Sequence, residues 1–480
     1  MKNLTFSFLL TTLYFFFTNF ANSQNATPYF SNKNFLSTKN YKFEISGILN
    51  SNASMANQSD EYSNKFLPDE ISKNYQKNLL NIGLDNQTFV KTLLKISPEN
   101  YLGTTAKFEL NYNSNTRYQN PNLDQIFIYN ENNFGKFEFG NIVAVNQKMK
   151  FGPAKFARGA GGINGKYLEY VNLPMLAKSN NLCGDNILNS NCQNIKNPRF
   201  ILLAQSPVGH GGYAKGGYFR DLDNKYNLSN YNKFNKYNFR SIKDDSFEGI
   251  EDSLKINYYS PKINDFQFGF SFAPNSQNQG FTANTAPDSR DTKLKNIFSF
   301  ATNYSHDFDN LNLSLSSSLE IANSKAIDGI ARNNLRAFDV GASLSYFGFT
   351  IGGSYGNWGK SLYAKSGVYS CNYDNLKNLI SQNCLNNSKN FSDSYYYTTG
   401  IGYEIGPIKT SLTSLNSYFQ NNKYQAISFG IDFKLKKQLT TYFEITNFRL
   451  TNQQIYVANS LNNIQNNSGN IFLTGFYYIF

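Results

Sequence analysis

The chain has 480 residues, of which 16% are charged and 16% are aromatic, and its formal net charge is +12. The 43 Phe and 34 Tyr exclude a disordered chain, and a helical bundle is excluded because Ala, Leu and Glu do not dominate. No basic run or recognised nucleic-acid-binding motif accompanies the positive charge, so no nucleic-acid partner is expected.

The first 23 residues are typical of a secretory signal peptide. Lys2 precedes an apolar run from Leu4 to Phe17, and the small residues Ala21 and Ser23 precede the expected cleavage site. An uncleaved N-terminal anchor helix is the alternative. No later segment reaches the ~18 apolar residues that a membrane-spanning helix needs. The exported protein is therefore expected to be either soluble outside the cytoplasm or a membrane β-barrel.

After a lead-in over residues 24–39, apolar and polar residues alternate with period two in many stretches. In residues 265–272, Phe266, Phe268 and Phe270 alternate with polar or small residues, and 311–321 and 426–434 show the same pattern. A helix would scatter such an apolar set around its surface, so each stretch is predicted as a β-strand. Sixteen strands are predicted, near residues 40–49, 88–97, 103–113, 123–130, 136–143, 249–260, 264–274, 292–304, 308–322, 334–346, 347–356, 393–404, 406–418, 423–434, 437–450 and 467–480.

The connections between these strands alternate between short and long, with one exception over 419–423, which is short where a long one is expected. Tight turns at one rim and long loops at the other are typical of outer-membrane barrels, and strands of about 9–11 residues suit a tilted membrane crossing. The fold class predicted for residues 40–480 is an all-β, transmembrane, antiparallel up-and-down β-barrel with long outer loops and short periplasmic turns. Eighteen strands are the alternative to sixteen, because a further hairpin fits within residues 175–248.

The face opposite the apolar residues is polar and partly charged, and it is predicted to enclose a water-filled lumen. The charged residues expected on the lumen wall are Lys107, Glu109, Lys136, Glu138, Lys255 and Lys409. A dry interior could not solvate such residues, whereas a lumen that contains water can. A secreted β-sandwich, such as a lectin, would instead require burial of the Phe-rich faces.

The connection over residues 144–248 is the longest, and it carries 15 Lys or Arg but only 7 Asp or Glu. Its first half is the predicted pore constriction, in which several cations face one acid: Lys148, Lys150, Lys155, Arg158, Lys166 and Glu169. Glycines at 159, 161, 162 and 165 would let the backbone bend sharply in a confined space. A net positive ring at a narrow point favours anions. The alternative is an exposed loop face whose lysines are simply solvated. Extra structure is expected near 200–205.

Four cysteines lie in two local pairs within long connections, Cys183 with Cys192 and Cys371 with Cys384. In an oxidising compartment the simplest interpretation is two disulfides that close these loops, although four cysteines allow three connectivities. Neither pair has the spacing of a zinc or redox site.

The last predicted strand places Phe472, Phe476, Tyr478 and the final residue Phe480 on one face. An alternating aromatic strand that ends in Phe looks like the signal by which barrel-assembly machinery recognises outer-membrane proteins. We therefore expect Phe476, Tyr478 and Phe480 to act as an assembly signal.

Two short motifs and the overall layout resemble the general bacterial porins, especially the trimeric type of the proteobacterial outer membrane. The stretch 134–140 (FGKFEFG) looks like the turn and strand before the pore-constricting loop, although Asn141 stands where family members often have Arg. The stretch 258–261 (YYSP) with Phe266 resembles the strand-turn-strand element after that loop, with Asp265 where Gly is usual. The resemblance implies a homotrimer with three water-filled channels, each narrowed by an inward-folded third outer loop.

The function predicted for this layout is passive diffusion of small hydrophilic solutes and ions through an outer-membrane porin of a Gram-negative bacterium, with a preference for anions. An outer-membrane adhesin or antigen with a barrel anchor is the alternative. No catalytic constellation, metal site or cofactor is expected: His210 lies in a Gly-rich loop, His306 is expected in a tight turn, and the phosphate-loop-like stretch 356–361 lacks its first Gly. The expected partners are membrane lipid, further copies of the chain, the assembly machinery and the solutes.

Overall fold

The computed structural model describes residues 33–38, 41–59, 81–96, 101–113, 122–157, 159–171, 199–204, 214–215, 253–275, 294–324, 333–361, 392–419, 422–451 and 466–480. The predicted signal peptide, all four cysteines and Arg158 lie outside these residues. No helix within the described ranges is long and apolar enough to span a bilayer.

Strands dominate the described residues. They are β1 Lys33–Thr38, β2 Tyr41–Gln58, β3 Asn81–Ile96, β4 Tyr101–Asn113, β5 Asn122–Asn132, β6 Gly135–Asn141, β7 Arg199–Phe200, β8 Ala214–Lys215, β9 Leu254–Tyr259, β10 Phe266–Asn275, β11 Leu294–Phe308, β12 Leu311–Ser324, β13 Leu335–Tyr346, β14 Phe349–Gly359, β15 Ser394–Ile405, β16 Ile408–Phe419, β17 Asn422–Lys434, β18 Leu439–Thr451 and β19 Asn466–Ile479.

The large sheet is antiparallel throughout, and its strands follow one another up and down. β6 pairs with β9, β9 pairs with β10, and β19 pairs with β2, so the ladders lead around sixteen strands of the described chain and return to the first. β1 pairs with the first residues of β2 beside the chain end, where Gly47 and Phe480 exchange backbone hydrogen bonds of 2.8 and 3.0 Å. The predicted all-β, up-and-down architecture is confirmed. The strand number of the complete chain stays a prediction, because several connections lie outside the described residues.

The strand bounds differ from the prediction mainly near the N-terminus. β2 runs to Gln58 and β3 begins at Asn81, so this hairpin is longer than the predicted strands 40–49 and 88–97. β1 lies within the predicted lead-in over 24–39. β16 and β17 are joined by two residues, with Phe419 paired to Asn422, which agrees with the predicted short connection.

The outward face is apolar, the reverse of a water-soluble sheet. On β12, Leu315 and Leu319 are 41% and 45% exposed, whereas Ser318 and Glu320, which point inward, are buried. Apolar side chains of other strands share this exposed face, including Phe268, Phe300, Val340, Ile401 and Ile427. Such a band is stable in contact with hydrocarbon, so the sheet is built to face lipid.

Exposed aromatic rings gather at the rim that carries the short turns, hereafter the short-turn rim. Ring centroids lie 4.7 Å apart for Phe266 and Tyr304, and 4.2 Å apart for Phe349 and Tyr403. Aromatic residues are enriched at the boundary between lipid and water, where their amphipathic rings sit at headgroup level. This rim therefore has the composition of one membrane interface.

The turn between β9 and β10 explains one departure from the porin pattern. Asp265 has a φ of 67°, and its neighbour Asn264 a φ of 49°, in the left-handed region that Gly enters most easily but Asn and Asp tolerate. His306 was expected in a tight turn, but it lies within β11, and its Nδ1 is 2.6 Å from the Asp265 carboxylate. The structure thus places His306 in a rim contact.

Candidate functional site

The chain that follows β6, over residues 142–157 and 159–171, folds into the barrel and lines its inner wall. We call this stretch the inward loop. It contains the helix α1 (Val145–Lys148) and three 3₁₀ helices, Pro153–Lys155, Gly162–Asn164 and Lys166–Tyr170. The Val145 N–H donates to Ser271 Oγ of β10 at 2.9 Å, and the Gln58 amide of β2 donates to the Tyr170 carbonyl at 2.8 Å. This inward loop therefore follows the wall from β10 through to β2.

Buried carboxylates of the wall hold the inward loop along its course. Asp432 of β17 accepts the Gly159 N–H with both oxygens at 3.1 Å, and Glu444 of β18 accepts the Gly162 N–H at 3.0 Å. The Asn146 amide donates to Glu320 of β12. Backbone N–H and side-chain amide groups of the loop donate hydrogen bonds to these carboxylates. The acids therefore hold the loop against the wall and are not open charges of the lumen.

The predicted need for glycine in the loop is clearest at two of the four positions. A Cβ on Gly159 would lie 2.2 Å from the Cγ of Tyr442, which no side chain could accommodate. Gly161 has a φ of 97°, where an L side chain is strained. Glycine therefore allows the loop backbone to lie flat against the wall.

Lys150, predicted to line the constriction, instead lies between the loop and the wall, with its side chain 11% exposed. Its Nζ lies 2.7 Å from Asp339 Oδ2 of β13, 2.6 Å from the Tyr396 hydroxyl of β15 and 2.9 Å from the Ala204 carbonyl. Burial lowers the pKa of Lys150, and the Asp339 carboxylate opposes that shift. We call Lys150, Asp339, Tyr396 and Ala204 the latch. Lys150 and Ala204 belong to two separate stretches of the long connection, and the latch joins both stretches to the wall.

A second loop segment, 199–204, lies against the inner face of the barrel, where extra structure was expected, and its residues 200–204 are buried. Phe200 and Ile201 are fully buried, and the Ser417 hydroxyl of β16 donates to the Ile201 carbonyl at 2.5 Å. They belong to an apolar core with loop residues and inward side chains of the strands, including Ile163, Tyr167, Trp358, Leu415, Phe419, Tyr424, Phe448, Leu450, Ile471 and Leu473. On this side the interior is packed and apolar, which corrects the expectation of a polar lumen on every strand.

Lys136, Glu138 and Lys148 form a charged cluster beside the inward loop, hereafter the lysine-glutamate cluster. Each carboxylate oxygen of Glu138 forms one ion pair, Oε1 with Lys136 and Oε2 with Lys148, both at 2.8 Å. The Glu138 side chain is 1% exposed, whereas those of Lys136 and Lys148 are 34% and 29% exposed. Two partly exposed cations thus cover one buried acid, and the cluster has a net positive charge.

A cavity of about 460 Å³ opens next to the cluster at the short-turn rim. It lies between the turn after β5 and the turn after β9, and its lining includes Lys136, Lys148, Lys262, Glu138 and Tyr259. More than one hundred positions separate Lys136, Glu138 and Lys148 from Tyr259 and Lys262, and the pairing of β6 with β9 brings the two groups together.

The remaining predicted site residues have varied surroundings. Lys255 is buried, with its Nζ 3.1 Å from the Ser253 carbonyl, and Lys409 forms a 2.6 Å ion pair with Glu404 near the short-turn rim. Lys166 is half-buried in the inward loop. The side chains of Lys107, Glu109, Lys155 and Glu169 lie outside the described structure, although their backbones lie in β4 or in the inward loop. Phe476, Tyr478 and Phe480 are exposed on the outward face of the final strand.

Sequence reasoning missed the wall acids and the latch. Glu320, Asp339, Asp432 and Glu444 all have the inward parity of their strands, so the period-two pattern already contained this signal. The apolar core also left a trace, because β17 has the apolar inward residues Tyr424 and Ala426 in addition to its apolar outward face. Across the described residues, no three His, Cys, Asp or Glu side chains are grouped to hold a metal ion.

A lipid-facing antiparallel barrel with a loop folded against its inner wall defines an outer-membrane barrel of the porin class. The chain belongs to the Gram-negative porin family, whose model matches residues 203–453. It is accordingly a β-barrel protein of the outer membrane of a Gram-negative bacterium.

Two sequence relatives are uncharacterized proteins of Rickettsia. The protein from Rickettsia conorii is 23% identical over 396 residues, which cover 74% of this chain and 73% of the relative. The protein from Rickettsia typhi is 23% identical over 446 residues, which cover 80% and 83%. Among solved structures, an anion-selective porin from Comamonas acidovorans is similar with a TM-score of 0.47 and 13% identity, over 92% of this chain and all of that one.

Proposed function

We propose that this porin is a passive diffusion channel for small hydrophilic solutes and ions, with a preference for anions. The observation that carries the proposal is the lysine-glutamate cluster, in which Lys136 and Lys148 are partly exposed while their shared partner Glu138 is buried. A solute that passes this point meets two ammonium groups before it meets the carboxylate. A confined positive potential raises the local concentration of anions and lowers that of cations.

The water path is proposed to be eccentric. Among the described residues, the inward loop and the apolar core cover the inner wall from β10 around to β2, and we place the solute path along the part of the wall that they leave uncovered, β3 to β6 and β9. The predicted lumen residues Lys107 and Glu109 lie on β4 within this stretch, in register with Lys91 and Phe89 of β3. Movement along such a path is driven by the solute gradient, and the proposal includes no cofactor, energy source or catalytic step.

Assembly is proposed to follow the porin resemblance, as a homotrimer with one channel per protomer. Recognition by the barrel-assembly machinery would involve the aromatic face of the last strand, where Phe476, Tyr478 and Phe480 are exposed to the membrane side. Three-step closures of one inserted particle would support the trimer.

The test is electrical. The purified protein is inserted into a planar lipid bilayer, and the reversal potential is measured across a KCl gradient for the native chain and for Lys148→Gln and Glu138→Gln. We expect chloride preference in the native chain, a weaker one in Lys148→Gln and a stronger one in Glu138→Gln, because the two changes alter the cluster charge in opposite directions. Cation preference of the native chain would overturn the proposed selectivity, and the lack of any conductance would overturn the channel.

A further inference from the structure

We propose that the cavity at the short-turn rim is a binding subsite for small organic oxyanions, that is, for solutes that carry carboxylate or phosphate groups. The inference rests on the proposed channel function and adds a site at which a solute is held. The cavity volume of about 460 Å³ is within the range of small-molecule sites and far exceeds the space that a single chloride ion requires.

The charges that line the cavity favour an oxyanion. Lys136, Lys148 and Lys262 contribute three cations against the two acids Glu131 and Glu138. Glu138 is buried and already engaged by both cluster lysines, and the Asn257 amide donates to it at 3.2 Å. The carboxylate of Glu138 is thus shielded, and an entering solute is exposed mainly to ammonium groups.

The cluster lysines are held in place before a solute arrives. Lys136 and Lys148 bind the two oxygens of one carboxylate, so their ammonium groups lie close together. Lys148 Nζ lies 5.3 Å from the Phe127 ring centroid and 5.7 Å from that of Tyr259, at cation–π range. Preorganised cations lose less side-chain entropy on binding, which favours retention of an anion over mere passage.

The hydroxyl of Tyr259 adds an uncharged donor to the cavity wall. Tyr259 lines the cavity and is 8% exposed, and its hydroxyl lies beside the Glu138 carboxylate and the Asn257 amide. An oxyanion in the cavity could accept a hydrogen bond from this hydroxyl in addition to its contacts with the lysines. Met149 and Pro261 add apolar wall that suits a carbon skeleton, which is why the proposed ligand is organic.

Succinate is the probe, and succinamide is its uncharged control. Chloride current through single channels of the full-length mature chain is recorded while either compound is added to one side at a time. We expect succinate to reduce the current in a saturable manner, more strongly from the side of the short turns, and succinamide at equal concentration to have little effect. Binding at a subsite saturates, whereas simple competition for permeation does not.

Three variants locate the effect. Tyr259→Phe removes one donor without changing charge, and we expect a succinate inhibition constant roughly five-fold higher with unchanged chloride preference. Lys262→Gln, in an exposed turn, should raise the constant roughly three-fold. Lys436→Gln is the matched control, because Lys436 is exposed in the short turn after β17 and does not line the cavity. We expect it to match the native chain.

The outcomes separate this subsite from the channel function. Normal chloride conductance without saturable inhibition by succinate would overturn the subsite and leave the channel intact. Inhibition that is identical in Tyr259→Phe, Lys262→Gln and the native chain would also overturn it. Absence of conductance in every variant would instead overturn the proposed function on which the subsite rests.

Discussion

Replacement of Lys150 by Met should destabilise the barrel markedly, because it leaves the Asp339 carboxylate buried without its cation. The Asp339 side chain is 2% exposed, and Lys150 Nζ is 2.7 Å from it. Removing one partner of a buried ion pair typically costs about 3–5 kcal/mol. The Tyr396 hydroxyl still donates to Asp339, so we expect the lower end, about 3 kcal/mol.

An exposed ion pair provides the matched control for this variant, and the single Trp provides the fluorescent probe. Lys409 and Glu404 also form a short ion pair, 2.6 Å, but both side chains are 53% exposed, so Lys409→Met should cost less than about 1 kcal/mol. The single Trp, Trp358, is buried in the apolar core with its ring 6.1 Å from that of Phe419, and its fluorescence reports unfolding by urea in lipid vesicles. Equal losses in Lys150→Met and Lys409→Met would refute the reasoning, because breaking the buried pair should cost more than breaking the exposed one.

Two further changes test the packing of the inward loop. Gly159→Ala should destabilise by about 1–3 kcal/mol, because the new Cβ would overlap the Tyr442 ring, whereas Gly430→Ala, with its nearest neighbour at 3.6 Å, should be tolerated in the same urea assay. Phe200→Ala removes a fully buried ring from the core inside the barrel, and we expect a loss of about 3–5 kcal/mol. Because the proposed solute path lies along β3 to β6 and β9, away from this core, the same variant should leave single-channel conductance nearly unchanged, and a large increase would contradict the eccentric path.

Much of the barrel was predictable because a strand in a membrane obeys a local rule. Residues such as Phe266 and Phe268 alternate with polar or small neighbours, and the structure confirms that these rows face outward. The alternation of short and long connections likewise predicted the up-and-down order. Both signals are contained within a few neighbouring residues, so they need no knowledge of distant contacts.

The interior was less predictable, because its organisation depends on contacts between distant residues. The inward parity of Asp432 and Glu444 was readable, but their use as anchors required the backbone of Gly159 and Gly162 to approach from 273 and 282 residues away. The apolar core behind Phe200 was visible only as an excess of apolar residues on both faces of strands such as β17. A polar interior was therefore the natural expectation, and the apolar core contradicts it for the part of the wall that the core covers.

Lys148 and Lys150 show which properties of a residue the sequence determines and which ones depend on the tertiary structure. By itself the sequence determined that both are cations in a long, glycine-rich connection after a strand, and it gave no reason to distinguish them. Tertiary structure alone decided that Lys148 reaches Glu138, only 10 residues away, and has a side chain 29% exposed, whereas Lys150 reaches the buried Asp339, 189 residues away, and is only 11% exposed. The physical reason is that the free energy of an ammonium group depends on its partner and its access to water, and both depend on how the strands are assembled around the loop.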